Sequence, residues 1–160
     1  MRRRFLREEH IIPKLDALDR EEALNKIVLS LPGWSLRGVE RKKILELLLL
    51  REQFGTTAIG QGIALPHCFS PEVEEPIIAF AVSPDGVTYP SLDGRQVHFI
   101  FLLILPQTAL GEQQKRQILQ NIKWFLCDRG LQERLKSART AAEIYSLMSQ
   151  EPQRVSMVEV

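Results

Sequence analysis

The chain has 160 residues, of which 44% are hydrophobic, so it is long enough for one domain with a substantial core. Its 21 basic and 20 acidic residues nearly cancel, which argues against nucleic-acid binding, and the run Arg2-Arg3-Arg4 is typical of a solvated terminus. With two cysteines and no apolar run long enough for a signal peptide or a bilayer span, the sequence predicts a cytoplasmic protein without disulfides or membrane insertion.

The first third of the chain predicts a charged N-terminal segment followed by two helices. We expect residues 1–10 to be flexible. Asp19 is a candidate N-cap for a helix that runs to about Leu31. The apolar stripe of this helix consists of Ala23, Leu24, Ile27, Val28 and Leu31. A second helix is predicted over roughly 39–53, with Gly55 as its left-handed cap.

The middle of the chain predicts three strands. Residues 60–66 form a short strand that leads to His67, and residues 77–82 form the next. The strongest strand signal is Val97–Leu105, which is apolar on both faces and therefore predicts a central strand. The tetrapeptide Leu92-Asp93-Gly94-Arg95 ahead of it carries a turn signal.

Two further helices are predicted near the C-terminus. One covers Glu112 to about Cys127, and its buried face consists of Ile118, Leu119, Ile122, Phe125 and Leu126. Thr140 and Glu143 form a capping box for a last helix over about 141–150. We expect residues 151–160 to be a flexible tail. Helices and strands arranged around one buried strand predict a layered α/β domain.

The segment TTAIGQGIALPH, residues 56–67, places one histidine at the end of a glycine-punctuated stretch. Gly60 and Gly62 permit tight turns and close approach of another main chain. Pro66 has a fixed φ and pushes Leu65 toward an extended conformation. Because neutral imidazole is a good nucleophile near pH 7, His67 is a candidate for phosphoryl transfer.

This segment resembles the signature of the enzyme IIA domains of the fructose–mannitol type (type 2). These belong to the bacterial phosphoenolpyruvate-dependent phosphotransferase system, and the nitrogen-regulatory IIA proteins are their stand-alone members. The resemblance covers roughly residues 11–149, and the glycine–histidine segment is its specific part. The other matching positions are Arg51-Glu52, Leu92-Asp93-Gly94-x-x-Val97, Phe101-Leu102-Leu103-x-Leu105-Pro106 and Glu143-Ile144-Tyr145.

The resemblance implies a fold and an activity. The fold is a single-domain layered α/β fold over residues 11–150, with a mixed β-sheet flanked by helices on both sides. In the activity, His67 accepts a phosphoryl group from a histidine-containing phosphocarrier protein and passes it to a IIB partner; we expect no cofactor. The alternative is a non-catalytic regulatory module that docks partner proteins through the same surface, with phosphorylation as a switch or lost.

Four residues are candidate phosphate ligands: Arg51, Thr57, Gln61 and Lys115. Arg51 is the nearest cation in sequence to the glycine segment and suits a bidentate grip, or else it bonds carbonyls at its helix end or Glu52. Thr57 can donate its hydroxyl to phosphate, as can Thr56, or can satisfy local backbone groups. We expect Gln61 mainly to be a loop residue, and a phosphate contact is its secondary role.

The sequence departs from the family pattern in three places. Cys68-Phe69 follow the histidine where glycine, often with a basic residue after it, is usual. Lys115 occupies the helix position where many members carry a second histidine, and it either neutralises the phosphoryl group as a point charge or faces solvent. No IIB or membrane domain is fused, which favours a regulatory use.

The remaining histidines and cysteines predict no further chemistry. We expect His98 to be semi-buried and satisfied, and His10 to be solvated. A thiol nucleophile at Cys68 is the weaker alternative to a buried, incidental cysteine, because adjacent residues seldom form a nucleophile–base pair. No metal site is expected, because the chain lacks a Cys-x-x-Cys spacing.

Overall fold

The computed structural model describes residues 6–150, with the side chain of residue 126 excepted. In this range six strands form one mixed sheet in the order β1-β5-β6-β3-β2, and β4 also pairs with β6. The strands are β1 (Leu6–Ile12), β2 (Ala58–Gly60), β3 (Ile63–Ala64), β4 (His67–Ser70), β5 (Ile77–Val87) and β6 (Val97–Pro106). The helices are α1 (Arg20–Ser30), α2 (Gly33–Leu36), α3 (Arg41–Gln53), α4 (Ala109–Lys123), α5 (Arg129–Ser137) and α6 (Ala141–Ser149), and a 3₁₀ turn (Trp124–Cys127) extends α4.

Strand β6 is the centre of the sheet, as the sequence predicts. It runs antiparallel to β5 on one side and parallel to β3 and β4 on the other. Residues 99–105 are each at most 1% exposed. Because successive side chains point to opposite faces, Phe99, Phe101 and Leu103 join one apolar cluster, while Ile100 and Leu102 join the other.

Helices cover both faces of the sheet, which confirms the predicted layered arrangement. On one face, the cluster includes Leu24, Ile27, Ile44 and Leu48 from α1 and α3. On the other face, it includes Ile118, Ile122, Leu131 and Ile144 from α4, α5 and α6. There the rings of Phe80 and Phe101 stack with centroids 4.5 Å apart, and Phe125 meets Phe101 edge-on at 5.2 Å.

The predicted starts of α1 and α6 hold, and a side-chain cap fixes each of them. The Asp19 carboxylate accepts the Glu22 N–H at 2.9 Å at the start of α1. At the start of α6, the Thr140 hydroxyl oxygen accepts the Glu143 N–H at 3.1 Å. Helix α3 begins two residues later than predicted and ends at Gln53 as predicted. Gly55, two residues beyond α3, takes a positive φ of 144°.

The N-terminal prediction is wrong for residues 6–10. They belong to β1, which pairs in parallel with β5 at the edge of the sheet, with an irregular register between Leu6 and Ile11. His10 is 5% exposed rather than solvated: its Nδ1–H donates to the Ile78 carbonyl at 3.2 Å, and Nε2 accepts from the Ser35 hydroxyl at 2.7 Å. Three consecutive charged residues, 7–9, hide the strand pattern in the sequence. Residues 1–5 and the predicted tail, 151–160, lie outside the described residues.

Two other local predictions change, and two helices were not predicted. Residues 58–64 form a β2–β3 hairpin rather than one strand, because Gln61 and Gly62 both take positive φ angles, 58° and 78°, as a type I′ turn requires. Helix α4 starts earlier, at Ala109, and α2 was not predicted. Helix α5 was also missed; Asp128 caps it by accepting the Leu131 N–H at 3.0 Å.

Within residues 6–150, no helix has the length and apolar character needed to cross a bilayer.

Gly111 sets the approach of α4 to the sheet, and we predict that Gly111→Ala destabilises the fold. A Cβ at this position would lie 1.8 Å from the Pro106 carbonyl oxygen, a backbone atom that cannot rotate away. Alanine ordinarily favours a helix by about 1 kcal/mol over glycine, but this overlap should reverse the sign and cost about 2–3 kcal/mol. Urea unfolding measures the change.

Gly33→Ala is the matched control, because no heavy atom lies within 4 Å of its added Cβ. Its free energy of unfolding should stay within about 0.5 kcal/mol of the original chain. If the two variants proved equally stable, α4 would not be held by this close packing.

Candidate functional site

His67 lies where one line of strand pairing is interrupted. Strands β3 and β4 follow one another along the same side of β6: Ala64 pairs with Ile100, and His67 pairs with Leu103. Pro66 sits in the gap between them and has no N–H to donate, but its carbonyl accepts the Leu103 N–H at 2.9 Å. His67 is therefore the first residue of β4, and its backbone is held by the central strand.

The orientation of the His67 ring follows from one hydrogen bond. Nδ1 lies 2.9 Å from the Leu65 carbonyl oxygen. A carbonyl can only accept, so Nδ1 must carry the proton in this contact. In the neutral ring the lone pair then belongs to Nε2, which makes Nε2 the nucleophilic atom.

The surroundings of the half-buried His67 ring favour its neutral form. Burial lowers its pKa from the ordinary value, and the positive charges of Lys115 and Arg51 lower it further. The hydrogen bond to Leu65 and the negative charge of Glu52 act in the opposite direction but are outweighed. The imidazole is thus available as a nucleophile at neutral pH.

Lys115 lies on the side of α4 that faces this site. Its ammonium is 5.6 Å from the centre of the Phe69 ring, and the Phe69 ring meets the His67 ring edge-on at 6.5 Å. Lys115 is half-buried rather than fully solvated. The structure thus brings Lys115 to the histidine, and a phosphate-binding role for it stays a prediction.

Arg51 approaches from the opposite face of the sheet, in the last turn of α3. Its guanidinium donates to the Gly55 carbonyl at 2.9 Å, which matches the helix-end alternative. Its charge nevertheless acts on His67. The structure therefore shows the helix-end contact of Arg51, and its role as a phosphate ligand stays a prediction.

The structure does not offer the two threonine hydroxyls to a phosphoryl group. Thr57 is 4% exposed, and its hydroxyl donates to the Glu52 carboxylate. The Thr56 hydroxyl donates to the Pro90 carbonyl. Both protons are already engaged, so the predicted role of Thr57 as a phosphate ligand has no support in this arrangement.

Gln61 is at the wrong end of the sheet for its predicted role. It lies in the β2–β3 turn, beyond Ile63, which pairs with Phe99. His67 pairs four residues further along β6, and this separates the Ile63 and His67 positions by roughly 13 Å. The Gln61 N–H instead donates to the Asp93 carboxylate at 2.8 Å. Gln61 is therefore not part of the His67 site.

The alternative nucleophiles are occupied or inert. Cys68 is 4% exposed in the cluster on the α1–α3 face, and burial raises the pKa of its thiol to about 12. A thiolate is the reactive form, so Cys68 does not compete with His67. His98 is half-buried, and its Nδ1–H donates to the Ser83 carbonyl at 2.8 Å, as expected. Among residues 6–150, no group of three or more His, Cys, Asp or Glu side chains is arranged to hold a metal ion.

One feature beside the site was not predicted from the sequence: a polar cluster around the buried Glu52 carboxylate, with Thr57, Tyr89 and Arg20. A signal for it exists, because Ile44, Leu48 and Glu52 recur every four residues and so share the buried face of α3. A carboxylate on an apolar stripe needs hydrogen-bond partners. Only the three-dimensional structure reveals which partners it has.

The chain is similar to proteins of one family along nearly its whole length. A family model described as phosphoenolpyruvate-dependent sugar phosphotransferase system, EIIA 2, matches residues 4–151. A nitrogen regulatory protein from Bradyrhizobium diazoefficiens is 33% identical over 144 residues, which cover 90% of this chain and 92% of that protein.

Solved structures show the same fold. The crystal structure of nitrogen regulatory protein IIA-Ntr from Neisseria meningitidis has a TM-score of 0.78 and 26% identity, covering 90% of this chain and 96% of that one. In a complex from Escherichia coli between mannitol enzyme IIA and phosphorylated enzyme IIB, the matched chain gives a TM-score of 0.71 at 22% identity, with coverage of 90% and 96%.

We predict that Lys115→Gln raises the pKa of His67. The substitution removes a positive charge that disfavours the imidazolium form. NMR titration of the ring protons measures the shift, with Lys123→Gln, at the far end of α4, as the matched control. An unchanged titration in Lys115→Gln, or the same shift in both variants, would contradict a specific effect of Lys115.

Proposed function

Because this chain belongs to the phosphoenolpyruvate-dependent sugar phosphotransferase system EIIA 2 family, we propose that it carries a phosphoryl group on Nε2 of His67. The donor in this proposal is the phosphohistidine of a histidine-containing phosphocarrier protein. The observation that carries the proposal is the Nδ1–H hydrogen bond to Leu65, which leaves the Nε2 lone pair free. We place the exchange in the cytosol, where free thiols such as those of Cys68 and Cys127 persist.

The proposed transfer exchanges one phosphorus–nitrogen bond for another. The Nε2 lone pair of His67 attacks the phosphorus atom of the donor phosphohistidine. The donor P–N bond breaks, and its electron pair returns to the donor imidazole. Because Nδ1 keeps its proton, the hydrogen bond to Leu65 stabilises the partial positive charge that His67 gains during attack.

The two nearby cations serve both states of the proposed cycle. Before transfer, burial lowers the pKa of His67 most, and the positive charges of Lys115 and Arg51 lower it further. After transfer, the same charges attract the phosphoryl oxygens, Arg51 as a planar fork and Lys115 as a point charge. The same positive charges serve both states, because they repel a proton and attract the negatively charged phosphoryl group.

Two acceptors fit the phosphorylated state. One is a IIB protein, by analogy with the mannitol enzyme IIA, which has been solved in complex with phosphorylated IIB. The other is a regulated partner that docks on the same surface and reads the phosphoryl charge. The nitrogen regulatory relative from Bradyrhizobium diazoefficiens, similar over 92% of its length, favours this regulatory use.

Incubation with phosphoenolpyruvate, enzyme I and the phosphocarrier should add one phosphoryl group, detected by intact mass. The label should be acid-labile and alkali-stable, because it is on a nitrogen atom. His67→Ala should abolish it. His98→Ala is the matched control and should label normally, because the ring of His98 is engaged elsewhere. Undiminished labelling of His67→Ala would overturn the site.

Replacing Lys115 should slow phosphoryl uptake without abolishing it. Losing one charge-assisted hydrogen bond to phosphate costs about 1.5–3 kcal/mol, so the rate with Lys115→Ala should fall roughly 10- to 100-fold. Lys115→His should lose less, since imidazole can also donate to a phosphoryl oxygen. Rapid-quench assays measure both rates. Equal rates for the original chain and both variants would show that Lys115 takes no part in phosphoryl uptake.

A further inference from the structure

Glu52 is a buried carboxylate that the proposed transfer leaves without a role. Its side chain is 1% exposed at the C-terminal end of α3. Such a group is costly to bury unless its oxygens are bonded. Both oxygens are: Oε1 accepts from the hydroxyls of Thr57 and Tyr89, the latter at 2.6 Å. Oε2 accepts from the Thr57 N–H at 3.2 Å and the Arg20 guanidinium at 3.5 Å.

Each partner of Glu52 donates a hydrogen bond to its carboxylate. Burial and the Glu52 charge raise the pKa of Tyr89, which keeps its hydroxyl protonated. The Arg20 guanidinium also lies over the Tyr89 ring, 5.8 Å from its centre. Thr57 donates twice, from its backbone and from its hydroxyl, and this clamps the Thr57 peptide to the end of α3.

The clamped peptide leads to the His67 ring through two further hydrogen bonds. The Thr57 carbonyl accepts the Leu65 N–H at 3.0 Å. The Leu65 carbonyl accepts the His67 Nδ1–H at 2.9 Å. Three consecutive links therefore join the Glu52 carboxylate to the atom that decides which ring nitrogen is free. The chain of links crosses the β2–β3 hairpin and the interrupted strand.

We propose that Glu52 is a positioning residue, which acts through Thr57 and Leu65 to hold His67 in the Nδ1–H tautomer, with the lone pair on Nε2. The predicted effect on the rate of phosphoryl transfer rests on the proposed function, whereas the predicted effect on the His67 tautomer does not. An unclamped Thr57 peptide lets the Leu65 carbonyl shift, and the ring then loses the acceptor that fixes its proton. A misplacement of about 1 Å in a reacting group can cost 100-fold in rate.

Glu52→Gln tests this inference because it keeps the shape and replaces one acceptor oxygen by an NH₂ group. That group cannot accept from Thr57 or Tyr89, so at least one donor loses its partner. Glu133→Gln removes the same charge from an exposed side chain on α5 and is the matched control. Thr57→Val removes one link from the clamp, and Thr57→Ser restores the hydroxyl.

Two readouts separate positioning from simple loss of structure. Long-range ¹H–¹⁵N NMR spectra of the unphosphorylated protein report the His67 tautomer. Phosphoryl uptake reports the rate. In Glu52→Gln and Thr57→Val, we expect a mixture of tautomers and a roughly 10- to 100-fold slower uptake. Thr57→Ser and Glu133→Gln should match the original chain in both measurements.

Each outcome decides between the two ideas. An unchanged tautomer in folded Glu52→Gln overturns the positioning role, even if uptake is slow. A mixed tautomer in a protein whose original chain never accepts phosphate supports positioning and rejects the proposed function. If Glu52→Gln does not fold, Thr57→Val and Tyr89→Phe carry the test, and a single Nδ1–H tautomer in both would reject the inference.

Discussion

The structure depends on the way one side of β6 is occupied by two short strands rather than one long one. The parallel pairing runs from Ile63 to Ser70, but Leu65 and Pro66 interrupt it. A continuous strand would direct the side chain of residue 67 only by the alternation of the pleat. The interruption lets the ring of His67 reach back to the Leu65 carbonyl. The central strand therefore fixes the position of the histidine, and the gap fixes its orientation.

The site combines contributions from both layers of helices. Arg51 and Glu52 come from α3 on one face, whereas Lys115 comes from α4 on the other. In the structure Arg51 donates to the Gly55 carbonyl, and the ammonium of Lys115 lies over the Phe69 ring. A cation–π contact contributes about 0.5–2 kcal/mol, more when it is desolvated, and a hydrogen bond to a charged group contributes about 1.5–3 kcal/mol. A phosphoryl group on His67 would therefore attract Lys115 away from Phe69.

The elements predicted correctly from the sequence are those whose structure is determined by one local signal. The apolar run of β6 and the caps at Asp19 and Thr140 are such signals. Strand β1 could not be predicted, because its hydrogen bonds and burial come from β5, far along the chain. Gln61 was misplaced for another reason: residues 63–67 run extended along β6 and carry His67 away from the turn that holds Gln61. Residues close in the sequence are therefore not close in space when the chain between them is extended.

In the proposed cycle, lysine at position 115 changes the unphosphorylated state of the site more than the phosphorylated state. Toward a phosphoryl group, a lysine and a protonated histidine both supply positive charge. Toward free His67, a neutral imidazole would exert no such repulsion, whereas the ammonium of Lys115 lowers its pKa. The substitution thus extends the pH range in which His67 is neutral, but it replaces a directional ring donor by a flexible point charge. The orientation of the reacting groups must then be set by the His67 ring, which is held through Leu65, Thr57 and Glu52.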